Sequence, residues 1–84
     1  MTIEVVLPSG KFATLRPILW GDWLRAINVV RELPMLNIDT VLMIECVQID
    51  GEPVTYSQLQ ALDIRDGLAI SRMIGEALTA PVKA

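Results

Sequence analysis

Five prolines, at positions 8, 17, 34, 53 and 81, cut an 84-residue chain into short segments that no long helix or strand can cross. Proline lacks the backbone N–H and fixes φ, so each one ends, kinks or turns the element it meets. Between Pro8 and Pro17 there is room for one strand, between Pro17 and Pro34 for one helix, and between Pro53 and Pro81 for helices joined by a tight break.

The first segment reads as an antiparallel hairpin over about residues 3–16. "IEVVL" (3–7) and "FATLR" (12–16) are rich in β-branched and apolar residues and flank "PSGK". Pro8 presets the second position of a type I turn, and Gly10 supplies the positive φ of the bulge that closes a three-residue loop. Ile3, Val5 and Leu7 then share one face, with Glu4 and Val6 on the other. Gly10-Lys11 with Thr14 nearby invites comparison with a phosphate loop. That loop needs several converging glycines and Gly-Lys-Ser/Thr opening a helix, whereas Phe12 follows Lys11 here and a strand comes next. The turn accounts for all of these residues.

Residues 20–33, "WGDWLRAINVVREL", have helical spacing. Trp20, Trp23, Leu24, Ile27 and Val30 fall on one side, and Asp22, Arg25, Asn28 and Glu32 largely on the other. Asp22 suits the dipole of the first turn, and Pro34 stops the helix. Residues 39–48, "DTVLMIECVQ", admit two readings: a buried strand over the apolar run 41–44, or a helix capped by Asp39, which the spacing of Glu45 and Gln48 favours. Asp50-Gly51 makes a second turn. Thr55 with Gln58 forms a capping box opening a short helix over 56–62. Asp63, with Asp66 three residues on, opens the last helix at 64–79, whose expected buried face is Ile64, Leu68, Ile70, Met73, Ile74, Ala77 and Leu78. Gly67 and Gly75 cost that helix about 1 kcal/mol each relative to alanine. They mark either close approach of another backbone or mere tolerance. Residues 80–84 read as a frayed tail. The expected fold is a single α+β domain, an N-terminal hairpin followed by three to four helices on one face of a small sheet.

Composition narrows the function. Apolar residues make up 52% of the chain before its five glycines are added, against ~45–50% for ordinary domains with glycine included. A domain this small has little interior, so the excess points to self-association or a protein partner. The chain has no histidine and one cysteine, Cys46. Neither a Ser-His nor a Cys-His couple can be built, zinc ligation is implausible, and Cys46 reads as a small buried hydrophobe. Catalysis and cofactor or metal binding are therefore not expected. Seven basic residues are scattered against ten acidic ones, net −3, which argues against nucleic acid. The N-terminal residues lack the pattern of a signal peptide, and no stretch is long and apolar enough for a membrane span. A cytoplasmic setting is expected.

Four motifs in order, "LPSGK", "LRPILWGDWL", "CVQIDGEPVT" and "LQALDIRDGLAI", resemble the small tail assembly chaperones of bacteriophages and prophages with Mu-like contractile tails. The similarity covers about residues 4–78. It departs from the family pattern at Leu19, where a threonine would cap the first helix. The resemblance implies a non-enzymatic escort in the host bacterial cytoplasm, absent from the mature virion. Such an escort binds apolar helical segments of the tape measure protein until tail tube subunits assemble around it. It also implies a homo-oligomeric or client-bound state. The alternatives are a small structural tail subunit and a helix-turn-helix regulator using the last two helices. Candidate contact residues are Met35, Leu36, Trp20, Trp23, Met43 and Met73, because methionines and aromatics adapt to varied apolar partners. Core packing is the competing assignment for each. It is the favoured one for the tryptophans, while Met35 and Leu36, on a connector, are the strongest contact candidates.

Overall fold

In the computed structural model, which describes residues 2–79, the order is β1 (Ile3–Val6), β2 (Phe12–Leu15), α1 (Trp20–Glu32), α2 (Ile38–Cys46), β3 (Val47–Ile49), β4 (Glu52–Pro53), α3 (Tyr56–Gln60) and α4 (Ile64–Thr79). The expected α+β class and N-terminal hairpin are present. The expected tail at 80–84 lies outside the described residues. In the first turn the Gly10 N–H donates to Leu7 O and the Leu7 N–H to Lys11 O, both at 2.8 Å. Gly10 takes φ 92°, the left-handed conformation that a side chain disfavours.

The sheet is larger than a hairpin. Four antiparallel strands lie in the order β1-β2-β3-β4. The segment 39–48 divides: its first part is helical and its end is strand. The helix is capped by Asn37, not Asp39, with Asn37 Oδ1 accepting from the Thr40 N–H at 2.8 Å. The chain passes straight into β3 at Val47, where Gln48 belongs to the strand. Sheet pairing decides this end. The Arg16 N–H donates to Cys46 O at 3.1 Å and the Asp50 N–H to Phe12 O at 2.8 Å, which aligns β3 on β2. Asp50 (φ 51°) and Gly51 (φ 81°) then make the two-residue turn with positive φ at both positions that matches strand twist.

One sheet face carries Leu7, Ala13, Leu15 and Val47 inward. The helices cover it with Ala26 from α1, Val41, Leu42 and Cys46 from α2, and Ile70, Met73 and Ile74 from α4. Helix α2 is central, packing against both α1 and α4. The Thr55–Gln58 capping box forms as expected, and Asp63 Oδ1 accepts from the Arg65 N–H at 2.9 Å to open α4.

Asp66 does something else. It is buried, and its carboxylate accepts from the Ser9 N–H (3.1 Å) and the Ser9 hydroxyl (2.6 Å). The hairpin turn is thereby clamped to the first turn of α4, across 57 residues of sequence. Charge-assisted bonds at a buried acceptor are worth ~1.5–3 kcal/mol. Asp66→Ala should lower the unfolding free energy by about 2 kcal/mol in urea titration. In a double-mutant cycle with Ser9→Ala the losses should fall short of additivity by about 1 kcal/mol.

Candidate functional site: exposed apolar helix faces

The best-satisfied charged cluster sits where the hairpin meets α1. Arg16, at the end of β2, grips Asp22 with both terminal nitrogens, at 2.8 and 2.9 Å. The Leu19 N–H donates to the same carboxylate at 2.8 Å, and Arg25 adds a further bond. Asp22 at the third helical position thus reaches back to Leu19 and supplies half of a capping box; Leu19 provides no side-chain acceptor. Arg25 also lies 3.7 Å from Glu45 of α2. Asp22 is only 1% exposed, so its expected outward position is corrected. Arg16, then the Leu19 N–H, hold its carboxyl well below the usual carboxylate range, against the opposing effect of burial. The same pairing raises the Arg16 guanidinium further. No buried side-chain polar atom among the described residues lacks a partner, so the cluster presents no unsatisfied group to a ligand. Burial pushes the Cys46 thiol up, which keeps it neutral.

This cluster fixes the rotation of α1. Asp22 and Ala26 point inward, with Trp23, Val29 and Val30 packed at the core margin. The face expected to be buried is therefore turned toward solvent at its start: Trp20 is 71% exposed, with Leu19 and Leu24 also exposed. The other contact candidates divide. Met35 is 69% exposed. Leu36, Trp23 and Met43 are half-buried against the core, and Met73 is buried within it. The candidates do not form one surface.

Helix α4 does present one. Its buried side is Asp66, Ile70, Met73 and Ile74, with Ala77 beside them. Ile64 (72% exposed), Leu68 (60%) and Leu78, all expected to be buried, face outward instead. The reason is geometric. The apolar residues of α4 span more than a half-circle, and one small sheet with α2 covers only part of it. Positions 64, 68, 71, 75 and 78 follow each other at spacings of four and three, the seam repeat of helix pairs. On that seam Ile64, Leu68 and Leu78 supply apolar side chains, and Ser71 and Gly75 leave shallow places between them. Gly67 borders the same face. A Cβ added at Gly67 or Gly75 would meet nothing within 4 Å, so neither glycine serves close packing inside this chain. Arg65 and Arg72 flank one side and are exposed. The 4-3-4-3 spacing is the signal that sequence reasoning missed, because the inner face of the same helix masks it.

A concavity of about 400 Å³ between β3–β4 and α3 is lined by Lys11, Ile49, Asp50, Glu52, Gln58 and Leu62 among others. Among the described residues no group of three or more Cys, Asp, Glu or His could hold a metal ion, and no helix is long and apolar enough to cross a membrane. Comparison with protein-family models, with curated proteins and with solved structures gives no match to this chain.

The Asp22 site makes a pH-dependent contribution of defined sign. Its folded value lies below the unfolded value of about 3.9, so its stabilisation is complete above about pH 5 and is lost progressively as pH falls through that value toward the folded one. Asp22→Asn should cost about 2–3 kcal/mol at pH 7, and urea midpoints should then fall less steeply than in the parent below about pH 4.

Proposed function

We propose that this protein is a non-enzymatic phage tail assembly chaperone that docks apolar helical segments of the tape measure protein on the outward face of α4. The observation that carries the reading is the two-faced character of α4. One side completes the core, and Ile64 and Leu68 on the other are more than half exposed. Scattered exposed leucines are ordinary, but Ile64, Leu68 and Leu78 at seam spacing, with small residues between them, make a surface that a helix can cover. Small residues at 71 and 75 allow the incoming helix to approach closely, and the flanking Arg65 and Arg72 favour a segment with acidic residues along that border. The ordered motifs that resemble those of tail assembly chaperones support the tape measure protein as the client. Trp20, Leu24 and Met35 offer further apolar contact area away from α4. Action in the host cytoplasm and absence from the finished particle belong to the same proposal. Mass spectrometry of purified virions separates it from a structural tail subunit, which would be found there.

The glycines of α4 give a test in which stability and binding move in opposite directions. Gly67→Ala and Gly75→Ala should each raise the unfolding free energy by about 0.5–1 kcal/mol, since helix propensity improves and the added methyl meets nothing. Gly75→Ala should at the same time weaken binding of an apolar tape measure segment, measured by fluorescence anisotropy. Ile64→Glu with Leu68→Glu should reduce that affinity at least about tenfold while the circular dichroism spectrum persists. Unaltered affinity in the double variant would place the client elsewhere.

A further inference from the structure

The two edges of the sheet are built differently. At one edge, β4 is two residues long and ends in Pro53. The turn at Asp50-Gly51 closes on the Ile49–Glu52 pair, so position 53 is the one whose N–H would point away from β3, and proline has none. A short strand with proline on its open side is a blunted edge. At the other edge β1 has four residues, "IEVV", with neither proline nor lysine, and among the described residues it pairs only with β2.

The outward groups of β1 follow from the turn. Leu7 donates to Lys11 across the hairpin, so by alternation Val5 and Ile3 also bond toward β2, at Ala13 and Leu15. The far side of β2 agrees: Phe12 and Arg16 bond toward the third strand at Asp50 and Cys46. The backbone N–H and C=O groups of Glu4 and Val6 are therefore those presented at the free edge.

We propose that this edge pairs, antiparallel and two-fold symmetric, with β1 of a second copy of the chain, with Val5 opposite Val5. Three symmetric registers give both Glu4 and Val6 a partner. Centring on Glu4 sets two carboxylates directly opposite each other, and like charges so placed repel. Centring on Val6 sets Glu4 against Pro8, which has no N–H to donate. Centring on Val5 sets Glu4 opposite Val6 twice, and both residues of each pair exchange N–H···O bonds. The two Glu4 side chains are then diagonal neighbours. On the inner face Val5 meets Val5 of the second copy, beside Ile3; on the outer face Val6 and Phe12, both exposed in the single chain, gain cover. The result is one continuous eight-stranded sheet ending at both sides in a proline-blunted β4. This association goes beyond the chaperone reading and does not depend on it.

The register is testable by charge at position 6, which is exposed and leaves the core untouched. The parent chain should sediment as a dimer. Val6→Glu faces Glu4 of the second copy twice and should raise the dimer dissociation constant about tenfold, whereas Val6→Lys faces the same carboxylates and should dimerise at least as tightly as the parent at low salt. Val5→Cys should form a disulfide-linked dimer under mild oxidation while Ile3→Cys does not, with the parent's buried Cys46 as the unreactive control. A parent that stays monomeric up to about 1 mM overturns the proposal. So does an equal response to Val6→Glu and Val6→Lys, and so does cross-linking through Ile3→Cys in preference to Val5→Cys.

Discussion

The bidentate grip of Arg16 on Asp22 sits at the one joint where the sheet hands the chain to the helices. It does three things with a single carboxylate. It ends β2 with a defined direction, it starts α1 despite an uncapped Leu19, and through Arg25 it reaches Glu45 on α2. A buried charge is tolerable only when it is fully bonded, and Asp22 is bonded to two guanidiniums and a backbone N–H. Its consequence for the surface is as large as its consequence for the fold. With Asp22 directed inward, the residue two positions back lies about 200° around the helix and has to turn out, and that residue is Trp20. The exposure of a tryptophan here follows from where an aspartate is held.

The same limit of interior volume governs α4. A single four-stranded sheet backed by three longer helices can surround a helix only partly. Asp66 fixes which part. Its two bonds to Ser9 point the 66–70–73–74 side at the hairpin and the core, and leave the 64–68–71–75–78 side to solvent. Two buried aspartates, one on each of the longest helices, thus set the rotation of those helices and so choose which apolar residues remain outside. Part of the apolar excess is displayed along the outer face of α4 at regular spacing, a form that another helix can cover, and part lies on the sheet at Ile3, Val6 and Phe12.

What was legible in the sequence was the punctuation. The Pro8–Gly10 turn, the stop at Pro34, the Thr55–Gln58 box and the bounds of α4 all depend on residues within four positions of one another, and local chemistry decides them. The errors have a common cause in distant partners. Asp39 looked like a cap because Asn37 gives no apolar signal of its own, yet Asn37 takes the Thr40 N–H. Gln48 fitted a helical spacing, but β2 was waiting to pair with it. Asp22 reads as an outward residue suited to a helix dipole and Asp66 as part of the opening of α4, because nothing in the sequence around them announces Arg16 or Ser9 as a buried partner. Each buried carboxylate reversed the inside and outside of part of its helix. The contact candidates suffered accordingly: Met73 is core, and Ile64 and Leu68, assigned to the core, are surface.

A sheet with one blunted edge and one open edge bears on what the helix faces can do. If β1 joins two copies, both helix layers lie on the same continuous sheet, and each assembly carries two outward α4 stripes. A long client made of repeated apolar helical segments could then be held at two points. The second contact forms at the effective concentration set by the client's own chain, so modest affinity at each stripe yields firm but reversible retention. Such reversibility is needed under the chaperone proposal, since a client held by one extensive interface would be released slowly. Under the chaperone proposal, weak individual stripes repeated by symmetry would let a small chain with little surface hold a client at more than one point.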